Sequence, residues 1–363
     1  VKNKNLFIVN TPFHLLTSFI LAQGRFNGDD NYLALIHPHG YEKWQDNPIM
    51  RHMSSAAGGW QQVFPLGNWL SSRHKTTSYK AQVAEVRASI GILRINTVFL
   101  GSDIDVQNQL LVGALDIDNF CRYEDGLYSY YNEDRRRSLA RSFFHQTKIA
   151  LLKTMAGITG KVNINTSTAG DNQSGTCDFM YKPELLQRFS PCAYKIEQEW
   201  IAKALEQLSR QKLLVPTIEG NSFLYLSQPL VEQKKFTLLE ETAVLQEILR
   251  NVKTKGRLLY KPHPNDSSYK INYYRKTLPD MVIYNSIEPV ELTFAYEKKI
   301  QAIISYQSSA LLFPDKFARQ PVKAISLVKF YKEPLHPAYI EIMHKAGVSF
   351  PEDVNGMASA LQV

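Results

Sequence analysis

The sequence predicts an α/β protein of two Rossmann-like domains facing across a cleft, and three observations lead there. Short apolar runs alternate with amphipathic stretches of helical length, and the alternation restarts in the second half of the chain. The 363 residues, 44% hydrophobic with Gly and Pro spread throughout, have ordinary globular composition and a length that suits two domains. Strands separated by helices indicate βαβ units, because a parallel strand needs a long crossover to return to its sheet.

In the first half, 6–9, 32–36, 62–66 and 97–100 read as buried strands, with helices over 13–23 and 79–90 between them. A strand at 120–123 runs into Glu124-Asp125-Gly126, and a long basic helix follows from 134 to about 155. The stretch 163–174 is polar and aperiodic, a loop, and 196–213 reads as a helix ending near Val215-Pro216. The pattern then restarts with a strand at 222–226 followed by Ser227-Gln228-Pro229. A helix over 238–252, strands at 257–261 and 281–284, a helix from near Pro289, and strands at 302–305 and 323–327 complete it. The domains are expected at 1–200 and 201–363, with the last helix able to pack back on the first.

The formal net charge of +8 fits a polyanionic partner, although solvated Lys and Arg are the plainer reading of composition alone. No aromatic or KH-type signature of an RNA-binding module is present, so no nucleic-acid partner is expected. Cys121, Cys177 and Cys192 make no CxxC pair and no even-numbered framework, and they read as free thiols in a reducing compartment. The apolar run 6–9 is too short for a signal core or a bilayer span, and no later segment reaches spanning length without a charge. A cytoplasmic protein is expected.

No GxGxxG follows any expected strand, and there is no Walker loop or HExxH, which argues against nicotinamide enzymes, P-loop NTPases and zinc hydrolases. Two Asp-Ile-Asp triplets, at 103–105 and 116–118, have the spacing of a metal clamp but sit beside helix starts, where Asp caps are common. Capping is the stronger reading. His-Pro occurs at 37–38, 263–264 and 336–337. Only His263 follows a strand at a carboxyl end, where open α/β sheets bind ligands. With Lys261 it can neutralise a phosphate, and Pro264 fixes the turn that aims the ring. Ser308-Ser309 precedes a helix and can hold an anion there or act as a plain cap. Glu124-Asp125-Gly126 stands at another carboxyl end, where a carboxylate can take a proton and Gly126 lets a chain approach. Glu288 can accept from a ribose diol, or simply begin a helix.

Glu124-Asp125-Gly126, then Lys261-Pro262-His263-Pro264, Glu288 and Ser308-Ser309, resemble in order and sheet position the D/E-D/E-G, HP and Ser-rich motifs of the bacterial sialyltransferases. The acidic and HP motifs stand far apart, unlike those of the lipooligosaccharide sialyltransferases. The chain looks most like the capsular polysialyltransferase family, with the multifunctional marine and Pasteurella-type enzymes next. The resemblance implies a GT-B fold, an acceptor-binding first domain and a CMP-sugar-binding second domain. It implies inversion, no metal and no other cofactor, with CMP-sialic acid as donor. Glu124 is then the base, with the choice between it and Asp125 left open. His263 protonates or pairs with the departing phosphate, Ser308 and Ser309 bind it, Glu288 holds the ribose, and Ser286 belongs to the donor-binding set. Ser227, Gln228, Asn10 and Thr11 face the donor.

An acidic glycan acceptor, polysialic acid or a sialylated oligosaccharide, suits the basic balance. Arg135, Arg136, Arg137, Arg141, Lys148 and Lys153 crowd the helix after the acidic motif, with Arg137, Arg141 and Lys148 near one face. Arg73, His74, Lys75, Lys80, Arg87 and Arg94 form a second cluster. A solvated helix face competes with the track reading for each residue. The resemblance also allows peripheral association with capsule assembly machinery on the inner face of the cytoplasmic membrane. Two alternatives remain: a capsule or teichoic-acid transferase with a CMP- or CDP-activated donor, and a non-catalytic polyanion binder.

Overall fold

A computed structural model of the protein describes residues 2–36, 41–67, 77–115, 117, 119–131, 139–158, 164, 175–214, 217–330 and 335–361. The chain divides into two units, Val1–Leu213 and Leu214–Val363. The first holds β1 (Lys4–Val9), β2 (Asp30–Leu35), β3 (Gln62–Pro65), β4 (Thr97–Leu100), β5 (Asn119–Tyr123), β6 (Gly175–Met180) and β7 (Ala193–Lys195). Their order in the sheet is β3-β2-β1-β4-β5-β6-β7. The second unit holds β8 (Ser222–Leu226), β9 (Arg257–Lys261), β10 (Met281–Ile283), β11 (Ile300–Ser305) and β12 (Lys323–Ser326), ordered β10-β9-β8-β11-β12. The strand pairs of both sheets are parallel. Both orders reverse beside the first strand of the unit, and the crevice at such a reversal is where open α/β sheets bind ligands.

Central strands of a parallel sheet are covered on both faces and read as continuous apolar runs. Accordingly Leu6, Phe7, Ile8 and Val9 of β1 and Phe223, Leu224 and Tyr225 of β8 are wholly buried. The first core joins Leu6, Ile8, Val98 and Leu100 to helix residues such as Val83, Val86 and Leu110. The second joins Phe223, Tyr225 and Ile304 to Leu245 and Ile248 of the helix Leu238–Val252. That helix begins at a capping box in which Thr237 and Glu240 satisfy each other's backbone amides.

Several expectations need correction. Strands β6 and β7 lie in a stretch with no apolar run. Asp178 in the middle of β6 is fully buried because Arg122 and Arg188 pair with it. The division at residue 200 would cut the helix Gln198–Arg210. That helix belongs to the first unit, because Trp200 packs so closely over Gly24 that a Cβ there would overlap it. The last helix, Val354–Ala360, stays with the second unit, its Met357 and the following Leu361 entering that unit's core beside Val252. Cys121 and Cys177, opposed in register on β5 and β6, form a disulfide rather than two free thiols. Cys192 is free. The basic helix runs Leu139–Ala156.

Candidate active site

In the first unit, three carboxyl ends contribute to one polar cluster. β1 ends at Asn10 and Thr11, and the helix Pro12–Gln23 follows, with Pro12 in its first turn and Thr11 as cap. That turn places His14, which is 1% exposed, at the end of the sheet. Thr11 accepts from the His14 amide at 3.1 Å, and the Asn10 amide donates to His14 Nδ1 at 3.4 Å. The accepting role of Nδ1 leaves Nε2 to donate, and it meets Asp125 Oδ1 at 2.5 Å. The loop after β4 supports this seat, since a Cβ at Gly101 would overlap the His14 ring. Tyr123 meets the ring edge-on, with centroids 5.5 Å apart.

The two acids after β5 have opposite environments. Glu124 is 0% exposed. It accepts from Tyr130 Oη at 2.7 Å, the Gly126 amide at 3.2 Å and the Tyr181 amide at 3.4 Å. Burial pushes its pKa up to about 8, against the pull of those donors. Asp125 keeps 31% of its side chain exposed. Gly126 turns the chain directly after them at φ 102°, a backbone region that favours glycine. The loop is tied from behind, where the Asp125 amide donates to Ser129 Oγ at 2.8 Å and Arg188 Nε donates to the Ser129 carbonyl at 2.7 Å. Arg188 is itself held by Asp178, which also takes Arg122 at 2.6 Å. The pull of these two guanidiniums outweighs burial and lowers the Asp178 pKa.

In the second unit the carboxyl ends of β8, β9, β10 and β11 carry Ser227-Gln228, Pro262-His263-Pro264, Ser286 with Glu288, and Ser308-Ser309. His263 Nδ1 accepts from the Asn265 amide at 3.1 Å, so its Nε2 is the hydrogen-bearing nitrogen. Burial lowers the ring's pKa. Lys261 Nζ donates to the Ser286 carbonyl. Desolvation lowers its pKa to about 8 although Glu288 and Glu291 favour the charge. Ser286 Oγ donates to Glu288 Oε2. Ser308 Oγ accepts from the Ala310 amide at 3.3 Å, capping the turn Ser309–Leu312. The Gln307 amide donates to Gln228 Oε1 at 3.1 Å, which joins the β8 and β11 loops.

The remaining sequence candidates divide clearly. Asp105 caps the helix Val106–Ala114, accepting from the Gln107 and Asn108 amides at 2.8 and 3.1 Å, and Asp103 accepts from Arg122 at 3.3 Å. Asp116 and Asp118 lie outside the described residues. Among the described residues no group of three or more His, Cys, Asp or Glu is placed to hold a metal ion. His336 caps the helix Pro337–Lys345, accepting from the Ala338 amide at 3.2 Å. Asn10 and Thr11 use their side chains locally, Asn10 on Asn108 at 3.1 Å and Thr11 as the cap.

Lys153 is corrected as a track residue, because it is buried and donates to the Ile164 carbonyl at 2.8 Å. Arg87 reaches the Ala114 and Gly157 carbonyls. Lys148 is exposed. His37, Pro38, Arg73, His74, Lys75, Arg135, Arg136 and Arg137, and the side chain of Arg141, lie outside the described residues. The sequence reading missed His14, in the helix that follows Asn10-Thr11-Pro12, and it missed Asp266 and Lys270 beneath the His263 loop.

The alpha-2,8-polysialyltransferase (POLYST) family matches residues 5–329. No curated protein matches the chain. Among solved structures, the chain resembles UDP-GlcNAc 2-epimerase from Neisseria meningitidis bound to UDP-GlcNAc, with TM-score 0.55 and 13% identity over 98% of this chain and 90% of that one. It likewise resembles UDP-GlcNAc 2-epimerase from Methanocaldococcus jannaschii, with TM-score 0.54 and 13% identity over 100% of this chain and 92% of that one. At such identity these likenesses establish the fold alone, a GT-B type of two Rossmann-like domains. Among the described residues no helix is long and apolar enough to cross a membrane.

Proposed function

The chain belongs to the alpha-2,8-polysialyltransferase family, and from that premise we propose that it is an inverting, metal-independent sialyltransferase acting on CMP-sialic acid. Its acceptor is the end of an acidic glycan, polysialic acid or a sialylated oligosaccharide, which it extends. The observation that carries this reading is the Asp125–His14 pair in the first unit of a chain whose second unit presents His263, Glu288 and Ser308 at strand ends.

The anomeric carbon of sialic acid is tertiary and bears a carboxylate, so its bond to CMP breaks through an oxocarbenium-like state. The acceptor hydroxyl oxygen forms the new bond to that carbon, and its proton goes to Asp125. We assign the base to Asp125 rather than Glu124. Asp125 is partly exposed, while the Glu124 carboxyl group is enclosed and already accepts three hydrogen bonds. His14 steadies the Asp125 carboxylate through Nε2. The bond to the phosphate breaks with its electron pair on CMP. His263 then acts as a hydrogen-bond donor through Nε2, and the Ser308 and Ser309 hydroxyls add further donors to the same phosphate. Glu288 and Ser286 take the ribose hydroxyls, with Lys261 holding their loop through the Ser286 carbonyl.

Calorimetric titration tests the donor assignment. CMP is expected to bind and to be lost on His263→Ala, and UDP is expected to bind much more weakly. Preference for UDP would overturn the assignment.

A further inference from the structure

The donor loops rest on a buried charge cluster that the reaction itself does not use. Lys270 lies in the helix Ser268–Thr277, one turn after Asp266, and its side chain is 0% exposed. Its Nζ lies 3.2 Å from Asp266 Oδ1, 3.0 Å from Glu241 Oε2 and 3.8 Å from Glu232 Oε2. It also donates to Ser227 Oγ at 3.2 Å and to the Gln228 carbonyl at 3.0 Å. An ammonium taken out of water in this way needs its donors satisfied, and these oxygens satisfy them.

Three of these oxygens lead to the donor loops. The other oxygen of Asp266 accepts from the His263 amide at 3.0 Å and from Tyr260 Oη at 3.1 Å. Tyr260 Oη also meets Ser227 Oγ at 2.7 Å. Gln228, whose carbonyl Lys270 holds, takes the Gln307 amide on its side chain and so restrains the approach to Ser308. One buried cation therefore braces the loops after β8 and β9 directly and the loop after β11 through Gln228.

We infer that Lys270, acting through Asp266 and Gln228, is a positioning residue of the donor site: it fixes the direction of the His263 ring and the spacing between His263 and Ser308. The inference rests on the donor reading above. It accounts for a Lys enclosed among Asp266, Glu241 and Glu232, where the ammonium balances carboxylates that are buried with it.

Two variants separate positioning from mere packing, because their electrostatic effects on His263 have opposite signs. The charges that bear on the ring are Asp266 and Glu232, which favour its protonated form, and Lys270, which opposes it. Lys270→Met leaves Asp266 uncompensated, so the pKa of His263 should rise. Asp266→Asn removes the attraction, so it should fall. Ring resonances of His263 in the ligand-free protein, assigned with His263→Ala and followed against pH by NMR, read both shifts directly. Turnover on CMP-sialic acid should drop by about 10²-fold in kcat/KM in each variant, the scale expected when a reacting group is misplaced by about 1 Å.

An unshifted His263 titration in both variants, or shifts of the same sign, would overturn the inference. If Lys270→Met does not fold, Asp266→Asn decides alone, and an unchanged titration there overturns it equally. Failure of the wild-type protein to bind CMP would sink the donor reading but would leave the ligand-free titration as a valid test of positioning.

Discussion

Glu124 and Asp125 are neighbours in the chain with opposite fates, and the chemistry follows from that difference. Exposure gives Asp125 access to a hydroxyl, and His14 orients it. Asp125→Asn should lower turnover by about 10²–10⁴-fold, the usual worth of a general base, while CMP affinity stays the same. Glu124→Gln should cost far less, and the reverse ranking would return the base to Glu124. Glu124 has its own signature in stability. Burial raises its folded pKa to about 8 from the ordinary 4.5, so between those values the unfolded chain binds fewer protons than the folded one. Its contribution is therefore fully present below about pH 4.5 and is lost as pH rises towards 8. Thermal unfolding of the wild type should show that decline, and Glu124→Gln should flatten it. An equal decline in the variant would assign it to other groups. The acidic motif was legible in the sequence, but its division of labour was not, because Tyr130 and Tyr181 enclose Glu124 only in the folded sheet.

At the scale of elements, regular βα units announced themselves and irregular ones did not. The runs at 222–226 and 257–261 coincide with β8 and β9, because both are apolar stretches buried on two faces. β6 escaped because its Asp178 looks like a loop residue until Arg122 and Arg188 are seen beside it. The helix Ser268–Thr277 escaped for the same reason, since it buries a lysine rather than an apolar stripe. Short elements also carry function in parallel. Ser308 caps its turn through Oγ, and Ser309 stands next to it, so each hydroxyl partly covers for the other. Replacing both with Ala should weaken CMP binding more than either single change, as measured by titration. Equal affinity in the double variant would remove them from the phosphate site.

For the whole molecule, a net charge of +8 fits a polyanionic product held along basic side chains. If Arg135, Arg136, Arg137 and Arg141 hold the acceptor, reversing two of them should shorten products while sparing donor hydrolysis. Added salt should also weaken long acceptors first, since exposed charges are screened over about 10 Å at 0.1 M. Unchanged product length would make them an ordinary solvated face. Donor chemistry with a single phosphate should likewise proceed in EDTA, and loss of activity restored by Mg²⁺ or Mn²⁺ would contradict metal independence. The two-domain plan was legible from the restart of the βα pattern. The point of division was not, because Trp200 and Gly24 join the helix Gln198–Arg210 to the first unit through a contact far apart in sequence.

The most direct measurement incubates the purified protein with CMP-sialic acid and a short sialic acid oligomer and resolves the products by anion exchange. The account predicts a ladder of longer chains with release of CMP, formed at least about 10²-fold more slowly by Asp125→Asn and also slowed by His263→Ala. Unchanged oligomer, or a ladder that grows at the wild-type rate in Asp125→Asn, would contradict it.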